Sequence, residues 1–428
     1  MCTCTICAVT ISPATHAGAG CDHSDRGQEV KGWLRQDGRK GIRNVIVVAY
    51  LVECAHHVAR LIVDSSGQDN VHLIGFPGCY PNEYAHRVMR AVSTHPNVGG
   101  AVLLSLGCEG FHREGLAEDI RASGRPVETL VIQESGGTRS TVARGLEAVA
   151  RLQEELAGQP RAAIALDELV IGTICGGSDG TSGITANPAV GHCFDRMVAE
   201  GAACIFEETG ELIGCEDVMA QRAATPALAA ELKASVEKAA RYYEVLGYGS
   251  FAPGNADGGL TTQEEKSMGA YCKSGDSRIS GLLKPGDQPP GGGLYLLDVV
   301  PDGEPLFGFP NISDNAEIVE LIACGAHITL FTTGRGSVVG SAISPVIKIC
   351  ANPETYRKLP EDMDINAGKI LEGESTPARV GEEIYQLVRA VADGAPTVSE
   401  ALGHREFILT YKQFEPIGPA CLPVSVRG

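Results

Sequence analysis

No stretch of the 428-residue chain approaches the ~18 consecutive apolar residues that a membrane-spanning helix requires, so a spanning segment is excluded. Basic residues are scarce: 35 Lys+Arg stand against 53 Asp+Glu, a formal charge of −18. That excess repels phosphate backbones and anionic lipid at long range, which argues against nucleic acid and membrane surfaces as partners. An anionic substrate is still allowed, because a local Arg/Lys cluster reverses the field within one cleft. The opening residues, MCTCTICAVTISPATHAGAGCDH, lack a basic n-region and a long apolar h-region, so no secretory signal is read there. GRGSVVG falls short of the strict dinucleotide fingerprint and no phosphate-loop motif occurs, which leaves nucleotide binding weakly supported. No repeat at a fixed period stands out.

Hydrophobic residues make up 43% of the chain, enough for buried cores in two or three domains. Fifteen cysteines are an odd number in a long chain, which fits a reducing compartment better than a stapled secreted scaffold; a cytoplasmic location is expected. Cys2, Cys4, Cys7 and Cys21 lie near His16 and His23, but C-x-C-x2-C is not a standard zinc spacing. Residues 1–30 are therefore expected to be a disordered leader.

From Lys31 the pattern changes. GWLRQDGRKGIRN turns at Asp37-Gly38 and runs into VIVVAYLV, followed by VHLIGF, AVLLSLG, VETLVIQE and LVIGTIC. Between these β-branched runs, 53–66, 82–94, 112–123 and 138–157 carry helical periodicity. Such alternation predicts an α/β fold: a Rossmann-like, mostly parallel sheet domain over 31–170, then a second α/β domain over 171–428. Within the second, 224–246 reads as one long helix, HITLFTTG and PVIKICAN as strands, and 380–392 as a closing helix. KPGDQPPGGGLY at 284–295 reads as a mobile loop or linker.

Several features carry chemistry. Cys54, Cys79, Cys108 and Cys175 each follow or end an apolar strand, where the carboxyl ends of parallel strands line a ligand crevice. Together they are a candidate soft site for a metal or an iron–sulfur cluster; singly, each is a small residue buried at a strand end. Asp179 in CGGSDGTSGITANP is a candidate acid/base or a plain Asx turn. Arg39 and Arg43 are candidates for carboxylate recognition or ordinary surface charges. After the glycine-rich SFAPGNADGGLTT, QEEKSMGAYCKSG delivers Glu264, Glu265 and Lys266 to a helix start, as an acid/base group or as first-turn charges. Thr332, Thr333 and Arg335 close a strand on a glycine turn that suits a polar or anionic group.

The blocks GWLRQDGRKGIRN, HPNVGGAVLLSLGCEG, IQESGGT, CGGSDGTSGITANPAVG, PGNADGGLTTQEEKSMGAYCKSG and LFTTGRGSVVGSAISPVIKICANPETYRKLPEDMDINAG, spanning 31–375, resemble the large domain of the altronate and galactarate dehydratases. That family also includes the large subunit of sulfolactate sulfo-lyase. The resemblance implies a lyase that eliminates water from a sugar acid or related polar 2-hydroxy acid, giving a 2-keto-3-deoxy acid. It implies iron, as Fe2+ or a cluster, or another divalent metal, held by Cys79, Cys108 and Cys175 with an open position, Cys54 being the fourth strand-end candidate. Lys266, Glu265 and Asp179 become candidates for base and acid, with Arg39, Arg43, Asn255, Thr332 and Arg335 gripping the substrate. GFPGCYPN departs from the family's His-Gly-x-Gly-Cys-Gly-like segment, and FPNISDNAEIV lacks an expected Pro-Gly. The small domain that precedes this region in single-chain dehydratases is not found, so a separate small subunit is expected, in a homo-oligomer. The rival activities are sulfite release from a sulfonated hydroxy acid such as sulfolactate, and an iron–sulfur or thiol redox or ligand-binding protein without turnover.

Overall fold

The computed structural model describes residues 30–246, 253–303, 313–410 and 412. The cysteine-rich leader lies outside the described residues, except for Val30. The first described elements, β1 (Val30–Leu34) and β2 (Lys40–Gly41), form an antiparallel hairpin over the Asp37-Gly38 turn. Gly38 sits at φ +85°, a backbone region that glycine enters without penalty.

The first sheet holds β3 (Val45–Tyr50), β4 (Val71–Gly75), β5 (Val98–Ser105) and β6 (Val127–Val131) in the order β4-β3-β5-β6, every pair parallel. The crossovers are α1 (Glu53–Ser66), α2 (Glu83–Ser93) and α3 (Arg113–Ala122), with α4 (Thr138–Ala157) following β6. Their bounds lie within one residue of those read from periodicity. The central strands β3 and β5 are apolar along nearly their whole length because helices cover both faces. Ile46, Val48 and Val102 pack on Ile62, Ala148 and Leu152 of α1 and α4. β7 (Arg161–Ile164) then returns to pair antiparallel with β1.

The second sheet is wholly parallel, in the order β10-β11-β9-β8-β12-β13-β14. Its strands are β8 (Val170–Cys175), β9 (Ala203–Phe206), β10 (Ile279–Leu283), β11 (Gly293–Leu297), β12 (Ile328–Thr333), β13 (Val346–Cys350) and β14 (Ile365–Asn366). The accompanying helices are α5 (Ala186–Ala199), α6 (Glu216–Gln221), α7 (Pro226–Leu246), α8 (Pro253–Asp257), α9 (Gln263–Tyr271), α10 (Asp314–Ala323), α11 (Pro353–Lys358), α12 (Pro377–Ala392) and α13 (Val398–Leu402). From β8 the chain moves to β9 on one side, and later returns as β12 on the other. A crevice opens at such a reversal, beyond the carboxyl ends of the two strands.

Two parts of this sheet differ from the sequence reading. The segment 284–295 is not a linker throughout: its last residues enter β11, whose five positions are all buried. Its glycines serve close packing, since a Cβ on Gly292 would fall 2.0 Å from the Gly201 carbonyl oxygen. β9, the four residues ACIF, is too short to register as a periodic run and went unread.

The two sheets share one core. Val88, Met89 and Val92 of α2 belong to the same buried cluster as Ile318, Leu321 and Ile322 of α10 and Ile174 of β8. Nearby, His327 joins three elements: Nδ1 accepts the Val170 N–H at 3.0 Å, and Nε2 donates to the Lys40 carbonyl at 3.0 Å. Burial pushes His327 down to about 4, against the pull of the Lys40 carbonyl. Above an unfolded value of about 6.5 the ring is neutral in both states and stability is unaffected. As pH falls from there towards 4 the unfolded chain takes a proton that the folded one refuses, costing about 3 kcal/mol. Urea titrations at pH 7 and pH 4 should show this loss, and His327→Asn should remove its share of the slope; an unchanged slope would contradict the assignment.

Candidate active site

Cys175, the last residue of β8, is buried at the floor of the crevice. Beside it β9 ends at Phe206 and delivers Glu207 and Glu208, while the turn Thr209–Leu212 supplies Glu211. Glu208 has φ 84° and ψ 51°, the one positive φ outside glycine among the described residues. Such a conformation is costly and persists only where the surroundings fix it. Here its carboxylate accepts the Cys175 N–H at 3.1 Å and forms a buried ion pair with Lys273.

The third contribution comes from α9. Thr262 caps the helix by accepting the Glu265 N–H, and the Glu265 carboxylate returns to the N–H groups of Thr261 and Thr262. This capping box fixes the first turn, and Lys266, the next residue, points inward. Its Nζ lies 2.6 Å from Glu211 Oε2, 3.2 Å from Cys175 Sγ and 3.2 Å from Ser178 Oγ. The helix approaches this closely because Gly183 and Gly269 meet backbone to backbone: a Cβ on Gly183 would fall 2.8 Å from the Gly269 Cα. Burial opposes charge on Lys266, but Cys175 and Glu211 outweigh it and hold the ammonium above its ordinary value.

The loops after β8 and β12 form the rim. Asp179 Oδ1 accepts from Thr181 N–H and Oγ1 at 2.9 and 2.6 Å, and Oδ2 accepts from Asn352 Nδ2 at 2.8 Å. Gly334 packs on this carboxylate, at a distance that would put a Cβ 2.2 Å from Asp179 Cγ. Arg335 donates to the Gly254 carbonyl and is partly exposed at the mouth. Asn255 is buried in α8, where its carbonyl accepts from Gly258 and Leu260. Thr332 donates to Asn187 Oδ1 at 2.8 Å.

The crevice thus gathers Cys175, Asp179, Asn255, Lys266, Thr332 and Arg335, with Glu265 at its edge. Asp179 is engaged as the Asx turn that the sequence also allowed, and Glu265 closes the capping box of α9. Arg39 and Arg43 stand elsewhere, before the amino end of the first sheet. Arg39 pairs with Asp37 at 2.7 Å and donates to the Thr94 carbonyl. Arg43 grips Glu400 with two bonds of 2.6 and 2.9 Å and donates to the Val391 and Ala395 carbonyls. Both guanidinium groups are spent on internal ties.

The four cysteines do not converge. Cys54, Cys79 and Cys108 are exposed at the carboxyl edge of the first sheet, whereas Cys175 is buried in the second. Among the described residues, the group with metal-ligand spacing is Cys175, Glu208 and Glu211, whose ligand atoms lie within 4.8 Å of one another. One soft sulfur and two carboxylates suit a borderline divalent ion, and the ammonium groups of Lys266 and Lys273 balance the carboxylates. Sequence reading missed Glu208, Glu211 and Lys273. The signal was present in IFEETGE, an apolar run closing on carboxylates, but it needed β9 to be seen as a strand.

One more carboxylate reaches the floor. Asp314 begins α10, and Gly176 leaves room for it: a Cβ there would fall 2.0 Å from Asp314 Oδ2. Burial and Glu211 push Asp314 up to about 6, opposed by Lys266 and Lys273.

Comparison with known proteins bears on this arrangement. Residues 32–157 match the family model described as D-galactarate dehydratase/altronate hydrolase, second domain, and 166–414 match D-galactarate/altronate dehydratase, C-terminal. The (2R)-sulfolactate sulfo-lyase subunit beta of Chromohalobacter salexigens is 31% identical over 401 residues, covering 90% of this chain and 98% of that protein. The altronate dehydratase of Bacillus subtilis is 31% identical over 87% of this chain and 75% of its own length. The galactarate dehydratase (L-threo-forming) of Escherichia coli is 32% identical over 86% and 73%. With both of its parallel sheets matched in chain order and relatives of this similarity along most of its length, the chain belongs to the D-galactarate/altronate dehydratase family of lyases.

Proposed function

We propose that the protein eliminates water from a sugar acid or related polar 2-hydroxy acid, giving a 2-keto-3-deoxy acid. The observation that carries this reading is the buried Lys266 ammonium, held against Cys175, Ser178 and Glu211 at the carboxyl end of β8. Elimination from a hydroxy acid needs a proton for the departing hydroxyl, and a cation for the charge that develops beside the carboxylate. Lys266 answers both needs. Arg335, exposed at the mouth, is the group to meet the substrate carboxylate, with Asn255 beneath it; Asp179 and Glu265 hold the loop and helix that present Lys266.

Cys175, Glu208 and Glu211 are the residues that would hold iron(II) or a similar divalent ion, in place of the four-cysteine site expected from the sequence. Such an ion supplies Lewis acidity toward the carboxylate and hydroxyl of the substrate. All described cysteines are free, which fits work in a reducing cytoplasm.

A second reading is favoured by one finding: the relative that this chain covers almost end to end is a sulfo-lyase subunit. The leaving group would then be sulfite, and the chain would work with a separate small subunit. The deciding experiment supplies the anaerobically purified, iron-loaded protein with a panel of sugar acids and with sulfolactate, alone and with a family small subunit. A 2-keto-3-deoxy product supports the dehydratase, sulfite with pyruvate supports the sulfo-lyase, and no turnover in either arm would overturn the lyase reading.

A further inference from the structure

Lys266, set against Cys175, Ser178 and Glu211, is placed for the acid half of an elimination; the other half needs a carboxylate close at hand that is not already tied up in an ion pair or a cap. We propose that Asp314 is that base, taking the proton from the carbon next to the substrate carboxylate. The role rests on the lyase reading above.

The argument is geometric first. Asp314 stands at the first turn of α10, with its carboxylate laid against the backbone of Gly176, one residue from Cys175. Phe331 borders the same spot, so a side chain at 176 would have to displace either the ring or the carboxylate. Four neighbouring carboxylates are already engaged: Glu208 on Lys273 and the Cys175 N–H, Glu211 on Lys266, Asp179 on its turn, Glu265 on its cap. Among the described residues the Asp314 carboxylate forms no ion pair of this kind, and it lies against the Gly176 backbone, one residue from Cys175. The charged groups that face it come from three elements: Glu211 after β9, Lys266 on α9 and Lys273 just beyond α9, with Glu317 one turn along its own helix. This balance of burial and mixed charges leaves a carboxylate whose proton affinity lies nearer neutrality than that of a surface acid, as a general base requires.

The step balances as follows. The Asp314 carboxylate takes the C2 proton, and the pair of the C2–H bond becomes the C2=C3 double bond. The C3–O bond breaks with its pair, and the leaving hydroxyl takes a proton from the Lys266 ammonium and departs as water. The remaining enol gains a proton at C3 from the Asp314 carboxylic acid and returns its hydroxyl proton to Lys266. The product is the 2-keto-3-deoxy acid, and both groups are restored.

The test uses the iron-loaded protein with a substrate that the wild type turns over, and the same substrate carrying deuterium at C2. Asp314→Asn is expected to lower kcat by about a hundredfold or more with KM within about threefold, while Asp314→Glu regains part of the rate. The C2 isotope effect on kcat should grow in Asp314→Glu, where proton removal becomes slower. Should Asp314→Asn fail to fold, the rate and isotope effect of Asp314→Glu decide alone. A folded Asp314→Asn within tenfold of wild-type kcat, or an Asp314→Glu indistinguishable from wild type, would overturn the assignment and leave the lyase reading standing. A wild type with no turnover on any hydroxy acid or sulfolactate would remove both.

Discussion

Replacing Lys266 by methionine is expected to lower kcat by about three orders of magnitude, with a loss of stability from the Glu211 carboxylate it leaves unpaired. Methionine fills nearly the same volume, and the change removes only the ammonium that touches Glu211, Cys175 and Ser178. A surface lysine would show no such effect; the prediction depends on Lys266 being 3% exposed at the floor of the crevice. Its neighbour provides the contrast. Glu265 is a helix cap, so Glu265→Gln should cost about 1 kcal/mol or less of stability and leave kcat within a few-fold of wild type. Steady-state kinetics on both variants, with melting curves alongside, checks the pair; a Lys266→Met enzyme of near-normal rate would remove Lys266 from the chemistry.

The second large effect concerns stability. Glu208 and Lys273 form an ion pair in which both side chains are nearly inaccessible, at 3% and 1% exposure. Breaking a buried pair from one side strands the other charge, which costs about 3–5 kcal/mol. Glu208→Gln should therefore shift the urea midpoint sharply at constant m-value. Adding Lys273→Met should recover most of the loss, because the stranded ammonium is then gone. A double mutant as unstable as the single would mean that Glu208 acts through the Cys175 backbone contact rather than through the charge.

Much of this fold was legible because its signals are local. The helices between 53 and 157 announce themselves by period and composition, and β3, β8 and β12 by apolar runs rich in β-branched residues, the last two followed by glycine. Of the residues gathered in the candidate site, Cys175 ends such a run and Arg335 follows one, while Lys266 was named from a helix start. What escaped was set by strand order. Glu208 and Glu211 follow a four-residue strand with no periodicity to detect, and their place beside Cys175 exists only because β9 pairs with β8. Cys54, Cys79 and Cys108 show the converse. They do follow strand ends, but of a different sheet, and position along the chain says nothing about which sheet a strand joins. Arg39 and Arg43 resemble substrate ligands until Asp37 and Glu400 are seen to occupy them.

The apolar cluster that runs from α2 through α10 to β8 also bears on how the chain can be divided. Val88 and Met89 on one side and Ile318 and Ile322 on the other are completely inaccessible, as in the interior of a single unit. Although two family models meet between 157 and 166, a cut there would expose both sides of this seam to water. A seam buried to this degree predicts that the halves unfold together, and that neither can be exchanged between relatives without its own opposite face.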